Sequence, residues 1–304
     1  ALAGKSGVAF VTGKAGSGKT ALIEELCRRL CAEDERMVVA VGRCKRGSVS
    51  YFPFRALLED LLAPSSLWTN RASALRDPIC EVVRDVIREV GVEVVRIFFP
   101  SGAAKILDQE VQPDFSGMTL SKDVEQVQLF GWYTQIIKAI SQRFPLILLL
   151  EDLDLADVSS LHLLLHLGRE MKPESVFIVG VYRPPETTSD SLLVQLKQTL
   201  GHLFPRGVPR PHEATPAPFL AQIKTELEHY GAREFSLEGV AEGFVHEYLL
   251  AKYGTHFSAQ FEEFLMEMSE GNPFFLTEAL LDFEARGRIK KKPTVKIDHS
   301  DDRV

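Results

Sequence analysis

The sequence predicts an α/β fold in which a parallel sheet is wrapped by helices. Four short apolar runs are continuous rather than alternating, which is typical of strands buried on both faces of a parallel sheet. Helical patterns lie between these runs, so strand and helix alternate along the chain. The predicted strands are 8–12, 37–41, 146–150 and 176–182, with 233–237 as a fifth, weaker strand.

The helices predicted between these strands cover 21–32, 54–62, 72–90 and 122–143. In the last of them, apolar residues recur at helical spacing and predict one buried face. The residues of this face are Val124, Val127, Phe130, Tyr133, Ile136, Ile137 and Ile140.

The second half of the chain changes character after residue 237. Residues 204–218 hold five prolines and few apolar residues, which predicts an exposed connection. Three helical patterns then follow at 238–253, 259–269 and 274–286 with no further strand, which indicates a small helical subdomain. We therefore predict a core at 1–237, a helical subdomain at 238–290 and a polar tail at 291–304. Five basic residues within 286–292 favour a solvated terminus over a binding site.

Composition restricts the class of protein. The chain has 304 residues, 45% hydrophobic and 25% charged, which is ordinary for a globular protein. Its net charge of -7 argues against a nucleic-acid binder, although a local basic patch stays open. The four cysteines (27, 31, 44 and 80) form no CxxC pair, and we expect reduced thiols in a cytoplasmic protein.

Two further expectations concern membrane segments and the start of the chain. No run approaches the roughly 18 apolar residues that a membrane-spanning helix needs, so we expect no membrane segment. The chain begins without Met and enters a strand pattern within a few residues, which favours a piece of a longer polypeptide over a protein with a signal peptide.

A phosphate-binding loop follows the first predicted strand. The pattern G-x-x-x-x-G-K-[ST] is matched in full, with a strand before it and a helix after it. Its glycines let successive N–H groups point inward at phosphates, Lys19 should reach the β- and γ-phosphates, and the Thr20 hydroxyl should bind Mg²⁺. The alternative is a glycine-rich turn without a ligand. The loop residues are Gly13, Lys14, Ala15, Gly16, Ser17, Gly18, Lys19 and Thr20. The chain is thus predicted to be a P-loop NTPase, a three-layer sandwich with a parallel sheet, that binds ATP with Mg²⁺.

Two acids, Glu151 and Asp152, end the apolar strand 146–150. A nucleotide hydrolase needs a carboxylate beside its magnesium at such a strand end, so this segment is interpreted as a Walker B motif. Which acid serves the metal and which polarises water stays open. The alternative is that these acids cap the next helix, because Asp157 and two serines that follow also favour a helix start.

Arg183 directly follows the strand 176–182. In a parallel sheet this strand end opens onto the same crevice as the phosphate loop. A guanidinium there could bind the γ-phosphate in a bidentate manner and so distinguish a triphosphate from a diphosphate. The alternative is a surface arginine paired with Glu186.

Taken together, these motifs resemble the signal-transduction ATPases with numerous domains (STAND), a branch of the AAA+ group, in the Orc-like subset found within large regulators. The resemblance rests on the phosphate loop, on 144–161 around the acidic strand end, on Tyr182-Arg183-Pro184, and on 269–275 with its Gly-Asn-Pro turn. It implies that Arg183 is the sensor arginine. It also implies that the helical subdomain is a lid and that Pro273 packs on the adenine ring. The alternative for this turn is a simple connection between helices.

The resemblance implies a regulatory switch in which ATP closes the lid and slow hydrolysis reopens it. Flanking effector domains of the same polypeptide would read the change, and nucleotide-dependent self-association is compatible with this. A second hypothesis is an origin-recognition-like AAA+ module that binds DNA, which the acidic balance disfavours. A third is a P-loop kinase or transferase with a second substrate, for which 54–143 offers room.

Overall fold

The computed structural model describes residues 7–62, 72–90, 98, 126–171, 175–184, 216–237 and 243–289. The chain divides into two compact units. One unit, the core unit, comprises 1–12 and 20–236. The other comprises 13–19 and 237–304 and is called the lid unit here after the predicted helical lid. The phosphate loop therefore groups with the C-terminal helices, whereas the domain bounds given above stay a prediction.

The core unit contains a five-stranded sheet in which every pair of neighbours is parallel. The strand order is β2-β3-β4-β1-β5, which confirms the predicted α/β fold. The outermost strand β5 is exposed along its whole length, which is why its apolar signal is weak. The strands are β1 (Gly7–Thr12), β2 (Val38–Arg43), β3 (Leu146–Glu151), β4 (Val176–Tyr182) and β5 (Arg233–Ser236).

The helices along these strands largely follow the prediction. They are α1 (Lys19–Glu33), α2 (Phe52–Leu62), α3 (Ala72–Val90), α4 (Gln126–Ser141), α5 (Val158–Glu170) and α6 (Pro216–His229), with a 3-10 turn at Leu153–Leu155. In α4 the predicted apolar face is buried from Phe130 onward, but Val127 is 76% exposed in the first turn, so its inclusion was wrong. Val124 lies outside the described residues.

The predicted exposed connection is shorter than expected at its C-terminal end. Residues 216–218 already belong to α6, which begins at Pro216. Proline is accepted at a helix start because its missing N–H would have no partner there, so proline content alone misplaced the boundary. The remainder of the connection, 204–215, lies outside the described residues.

Helix α2 packs closely along β2 at the edge of the sheet. A Cβ added at Gly42 would lie 2.2 Å from the carbonyl oxygen of Pro53, so only glycine permits this approach. The Asp60 carboxylate accepts a hydrogen bond from the Val41 N–H at 2.8 Å. This bond satisfies a backbone donor on an edge strand, a position where unpaired N–H groups otherwise invite pairing with another chain.

A polar network connects β4, β5 and helix α6 near the opposite edge of the sheet. Lys224 on α6 donates to Glu234 on β5 at 2.7 Å, and the Tyr182 hydroxyl at the end of β4 bonds to both. The three side chains connect two strands that lie on either side of β1. The short β5 is thereby fixed where apolar packing is weak.

The described residues of the lid unit form three helices, α7 (Phe244–Tyr253), α8 (Ala259–Ser269) and α9 (Pro273–Ala285). Their apolar side chains enclose a small core of their own. Ser258 caps α8 and Asn272 caps α9 through side-chain oxygens that accept backbone N–H groups, as expected at helix starts. The core consists of Val245, Leu249, Tyr253, Leu265, Leu276, Leu280 and Ile289.

Two expectations from composition concern cysteine and the membrane. All four cysteines are buried and in the free thiol form. Within the described ranges, no helix combines the length and the apolar character needed to cross a bilayer.

The Asp60 carboxyl makes stability depend on pH. Burial raises its pKa from the ordinary 3.8 to about 6, against the opposing effect of the Val41 bond. The folded chain thus holds this proton more tightly than the unfolded chain. Its contribution is greatest below about pH 4 and is lost as the pH rises through about 6, a change of roughly 2–3 kcal/mol.

We predict that Asp60→Asn removes this dependence, because an amide imitates the protonated carboxyl at every pH. Urea denaturation between pH 4 and pH 7.5 should show the variant gaining stability relative to the wild type by roughly 2–3 kcal/mol as the pH rises. Asp85→Asn, at an exposed carboxylate on α3, is the matched control. A constant difference between wild type and Asp60→Asn across this range would contradict the assignment.

Candidate functional site

The phosphate loop leaves β1 after Thr12 and enters α1 at Lys19. Gly16 and Gly18 adopt φ values of +78° and +90°, a region that favours glycine. Gly18 is one of the two fixed glycines of the motif, whereas Gly16 occupies one of its variable positions. Thr20 is the second residue of α1 and is exposed.

The Lys19 side chain points back onto the loop itself. The Lys19 ammonium donates to the carbonyl oxygens of Gly13 at 2.7 Å and Lys14 at 2.8 Å. Within the described part of the chain, the buried hydroxyl of Ser17 has no hydrogen-bond partner. A buried polar atom without a partner is costly, so a ligand that supplies one is favoured here.

The Gly-Asn-Pro turn of the lid unit contacts this loop directly. The Asn272 side-chain amide donates to the Ala15 carbonyl at 2.9 Å, and the Phe274 N–H lies 3.2 Å from the Gly16 carbonyl. Pro273 is the first residue of α9, as a proline at a helix start should be. The turn is therefore more than a connection between two helices.

These features fit a bound nucleotide. The positive-φ glycines bend the loop, a helix begins at the end of the loop, and the Lys19 ammonium lies against the loop carbonyls. Together these three features suit a polyphosphate. The Ser17 hydroxyl could donate to the same anion.

Two acids and two arginines lie at the carboxyl ends of the neighbouring strands β2, β3 and β4 in the core unit. Glu151 ends β3, and its carboxylate accepts from Arg43 at the end of β2 at 2.5 Å. Asp152 is the next residue, and its carboxylate lies 3.5 Å from the guanidinium of Arg183, which follows β4. The parallel sheet brings all four side chains to one edge, because parallel strands end together.

Asp152 has an unusual backbone. Its φ and ψ are 53° and 44°, the left-handed region that non-glycine residues seldom occupy, with Asp and Asn among the exceptions. Such residues often mark functional sites, because the fold maintains a conformation of higher energy. Its side chain makes no capping bond to the 3-10 turn that follows.

Capping is instead the role of a later acid. Asp157 accepts from the Ser160 N–H at 2.9 Å at the start of α5. Asp154 accepts from the Arg183 N–H at 3.1 Å and so fixes the start of the arginine's segment. Burial, together with the nearby Asp157, Asp152 and Asp154 carboxylates, raises the pKa of the Cys44 thiol.

The structure thus places the predicted residues in two groups. Glu151, Asp152 and Arg183 come together in the core unit, whereas 13–19 and Pro273 belong to the lid unit. Arg183 pairs with Asp152. Its predicted alternative partner, Glu186, lies outside the described residues.

Two residues at these sites had no assigned role in the prediction. Arg43 follows an apolar strand in the same way as Arg183, so the same reasoning would have found it. Asn272 was part of a recognised motif, but its bond to Ala15 spans 257 positions of sequence and leaves no local signal.

A metal would depend on the ligand for part of its coordination. Among the residues that the structure describes, no group of three or more His, Cys, Asp or Glu side chains could hold a metal ion. Mg²⁺ usually binds one or two carboxylates together with phosphate oxygens and water. The acids at the strand end therefore suit magnesium that arrives with a nucleotide better than a resident metal.

Of three comparisons with known proteins, one shows the family. No curated protein sequence matches the chain. Among solved structures, the S. cerevisiae Hsp104-ADP complex is similar at 12% sequence identity and a TM-score of 0.38, covering 95% of this chain and 43% of that chain. This chain thus spans less than half the length of that protein. A family model described as the AAA ATPase domain matches residues 1–179, more than half of the sequence, and the chain therefore belongs to the AAA ATPase domain family.

Proposed function

We propose that this AAA ATPase domain is an ATP-dependent regulatory switch of the STAND type, with slow Mg²⁺-dependent hydrolysis. The observation that carries the proposal is the pair of contacts between the phosphate loop and the lid turn, Asn272 to Ala15 and Phe274 to Gly16. A ligand bound in this loop acts on the segment that the lid contacts. It can therefore favour one arrangement of the lid over another.

ATP is the ligand that this family and loop support. Residues 13–19 would hold the β- and γ-phosphates through backbone N–H groups, and Lys19 would move its ammonium from the Gly13 and Lys14 carbonyls to the phosphates. Pro273 would lie against the adenine ring. Thr20 would supply a hydroxyl for Mg²⁺, which when bound neutralises charge on the phosphates.

Glu151 and Asp152 would provide the carboxylates for the metal and for the attacking water. Their partners differ, because Glu151 is held by Arg43 whereas Asp152 shares Arg183. The side chain of Glu151 is 18% exposed and that of Asp152 is 42% exposed. Asp152 is thus the more accessible acid. To reach a metal, Glu151 would have to break its ion pair with Arg43 or move together with the Arg43 side chain.

Arg183 would be the group that distinguishes ATP from ADP. Its guanidinium is 58% exposed and shares one carboxylate at 3.5 Å, so it can turn to a phosphate at little cost. A switch requires such a group, because a ligand with equal affinity for both states shifts neither.

The output of the switch would lie in flanking effector domains of a longer cytoplasmic polypeptide. Nucleotide-dependent self-association is a further part of the proposal, since a second copy of the chain could contact the lid of the first and so respond to its nucleotide. Both follow from the resemblance to STAND proteins and from the membership of the AAA ATPase domain family.

We predict that Arg183→Ala weakens ATP binding by about ten- to hundred-fold and leaves ADP nearly unchanged. A charge-assisted hydrogen bond to phosphate contributes roughly 1.5–3 kcal/mol, and only ATP has the γ-phosphate. Isothermal titration with both nucleotides gives the ratio of the two dissociation constants. Equal weakening of both would place Arg183 near the α- or β-phosphate and remove it as the sensor.

Amide substitutions should separate hydrolysis from binding. The double variant Glu151→Gln, Asp152→Asn should bind ATP but lose Mg²⁺-dependent hydrolysis, since the carboxylate charges go while the loop stays intact. Asn is the right replacement at 152 because it tolerates the left-handed backbone, whereas Ala would add a conformational cost of about 1 kcal/mol. Phosphate release measured with each single variant assigns the two roles, and normal hydrolysis by the double variant would refute the Walker B assignment.

A further inference from the structure

The phosphate loop and the first turn of α9 meet at Asn272, which is half-buried between them. The residue precedes Pro273 and caps α9, with its side-chain oxygen 3.0 Å from the Phe274 N–H. Its own N–H donates to the Ser269 carbonyl at 2.8 Å, so its backbone is held by the end of α8. The side chain therefore stands in a fixed position at the helix start.

The same side chain makes a second bond with its other end. The amide nitrogen donates to the Ala15 carbonyl at 2.9 Å while the amide oxygen caps the helix. Only a carboxamide of this length offers a donor and an acceptor side by side. Ser and Asp can cap a helix, but ionised Asp has no donor and Ser is too short to span both partners. The two bonds together thus call for Asn.

Gly16 shows how closely the loop approaches this turn. A Cβ built on Gly16 would lie 2.7 Å from the Asn272 amide oxygen and 2.7 Å from the Phe274 Cβ. The glycine is therefore required by the contact with the lid turn in addition to its left-handed φ of +78°.

The hydrogen bond from Asn272 to the Ala15 carbonyl also orients the N–H of Gly16. The carbonyl of Ala15 and the N–H of Gly16 belong to one planar trans peptide and point in opposite directions. When Asn272 draws the carbonyl toward the lid turn, the Gly16 N–H is directed away from the turn. In a phosphate loop, N–H groups oriented in this way are what bind the anion.

We propose that Asn272 is a positioning residue for phosphate binding, and that it couples the phosphate loop to the start of α9 through the Ala15 peptide. This inference rests on the proposed function, because it concerns nucleotide bound in the same loop. Loss of the Ala15 bond frees one peptide of the loop to rotate. The loop then has to become ordered when the nucleotide binds, and this ordering lowers the affinity of the protein for the nucleotide.

The test compares Asn272→Ser with Ser258→Ala. Serine caps a helix about as well as asparagine, so Asn272→Ser removes mainly the bond to Ala15. Ser258→Ala removes the cap of α8 in the same unit, where the serine oxygen accepts from the Phe261 N–H, and serves as the control for a loss of lid stability alone. Both ATP and ADP affinities are measured by isothermal titration.

Asn272→Ser should weaken both nucleotides by about two- to ten-fold, the range expected when one neutral hydrogen bond is lost. Ser258→Ala should leave both affinities within experimental error. A third variant, Asn272→Asp, keeps the cap but places a negative charge beside the phosphates. It should weaken ATP more than ADP, and part of the loss should be recovered at high salt, a response that a purely structural role would not give.

Hydrogen exchange without nucleotide separates this inference from the proposed function. If Asn272 orders the loop, Asn272→Ser should speed exchange of the amides in 13–19, and Ser258→Ala should not. Failure of the wild type to bind ATP would refute the proposed function and, with it, the role in phosphate binding. If the wild type binds ATP but Asn272→Ser affects affinity and exchange no more than Ser258→Ala, the proposed function stands and the inference about Asn272 is overturned.

Discussion

Charges of opposite sign meet where the parallel strands end, and this pairing governs the chemistry of the core unit. The apolar strands β2, β3 and β4 each run without interruption to the edge of the sheet, and a charged residue ends or directly follows each of them. Arg43 pairs with Glu151 and Arg183 with Asp152, so the two acids are compensated by two cations. A group that bound either acid at this edge would therefore have to exchange an existing ion pair for a new one.

The phosphate loop has a different attachment. It joins β1 to α1 along the chain, but in the lid unit it is hydrogen-bonded to the turn before α9 through Asn272 and Phe274. An anion that orders the loop consequently acts on the start of a lid helix. This contact is the physical basis of the proposed switch.

The sequence alone was sufficient to predict the strands and the fold class, because both depend on local patterns, whereas phosphate binding by the loop stays a prediction. Continuous apolar runs located β1 to β4 to within about two residues, and the spacing of Gly13, Gly18 and Lys19 predicted the loop. The prediction was wrong in placing Val127 on a buried face, since apolar spacing does not show where such a face begins. It was also wrong in assigning 216–218 to the exposed connection, since proline is compatible with a first helical turn.

Contacts between distant residues were harder to predict. Arg43 and Glu151 are 108 residues apart in sequence, and they pair because β2 and β3 are neighbours in the sheet. The bond from Asn272 to Ala15 depends on tertiary packing of a turn against a loop, and no periodicity or motif spacing encodes it. The roles of Glu151, Asp152, Arg183 and Pro273 toward a nucleotide stay predictions.

The central claim is that the loop 13–19 binds ATP, and calorimetric titration of the wild type and Lys19→Ala with MgATP tests it most directly. Lys19 interacts with loop carbonyls and is only partly buried, so its replacement should spare the fold. We expect the wild type to bind MgATP and the folded variant, checked by circular dichroism and thermal unfolding, to bind it no longer. Equal ATP affinity in the wild type and the folded variant would show that the loop 13–19 is not the ATP site.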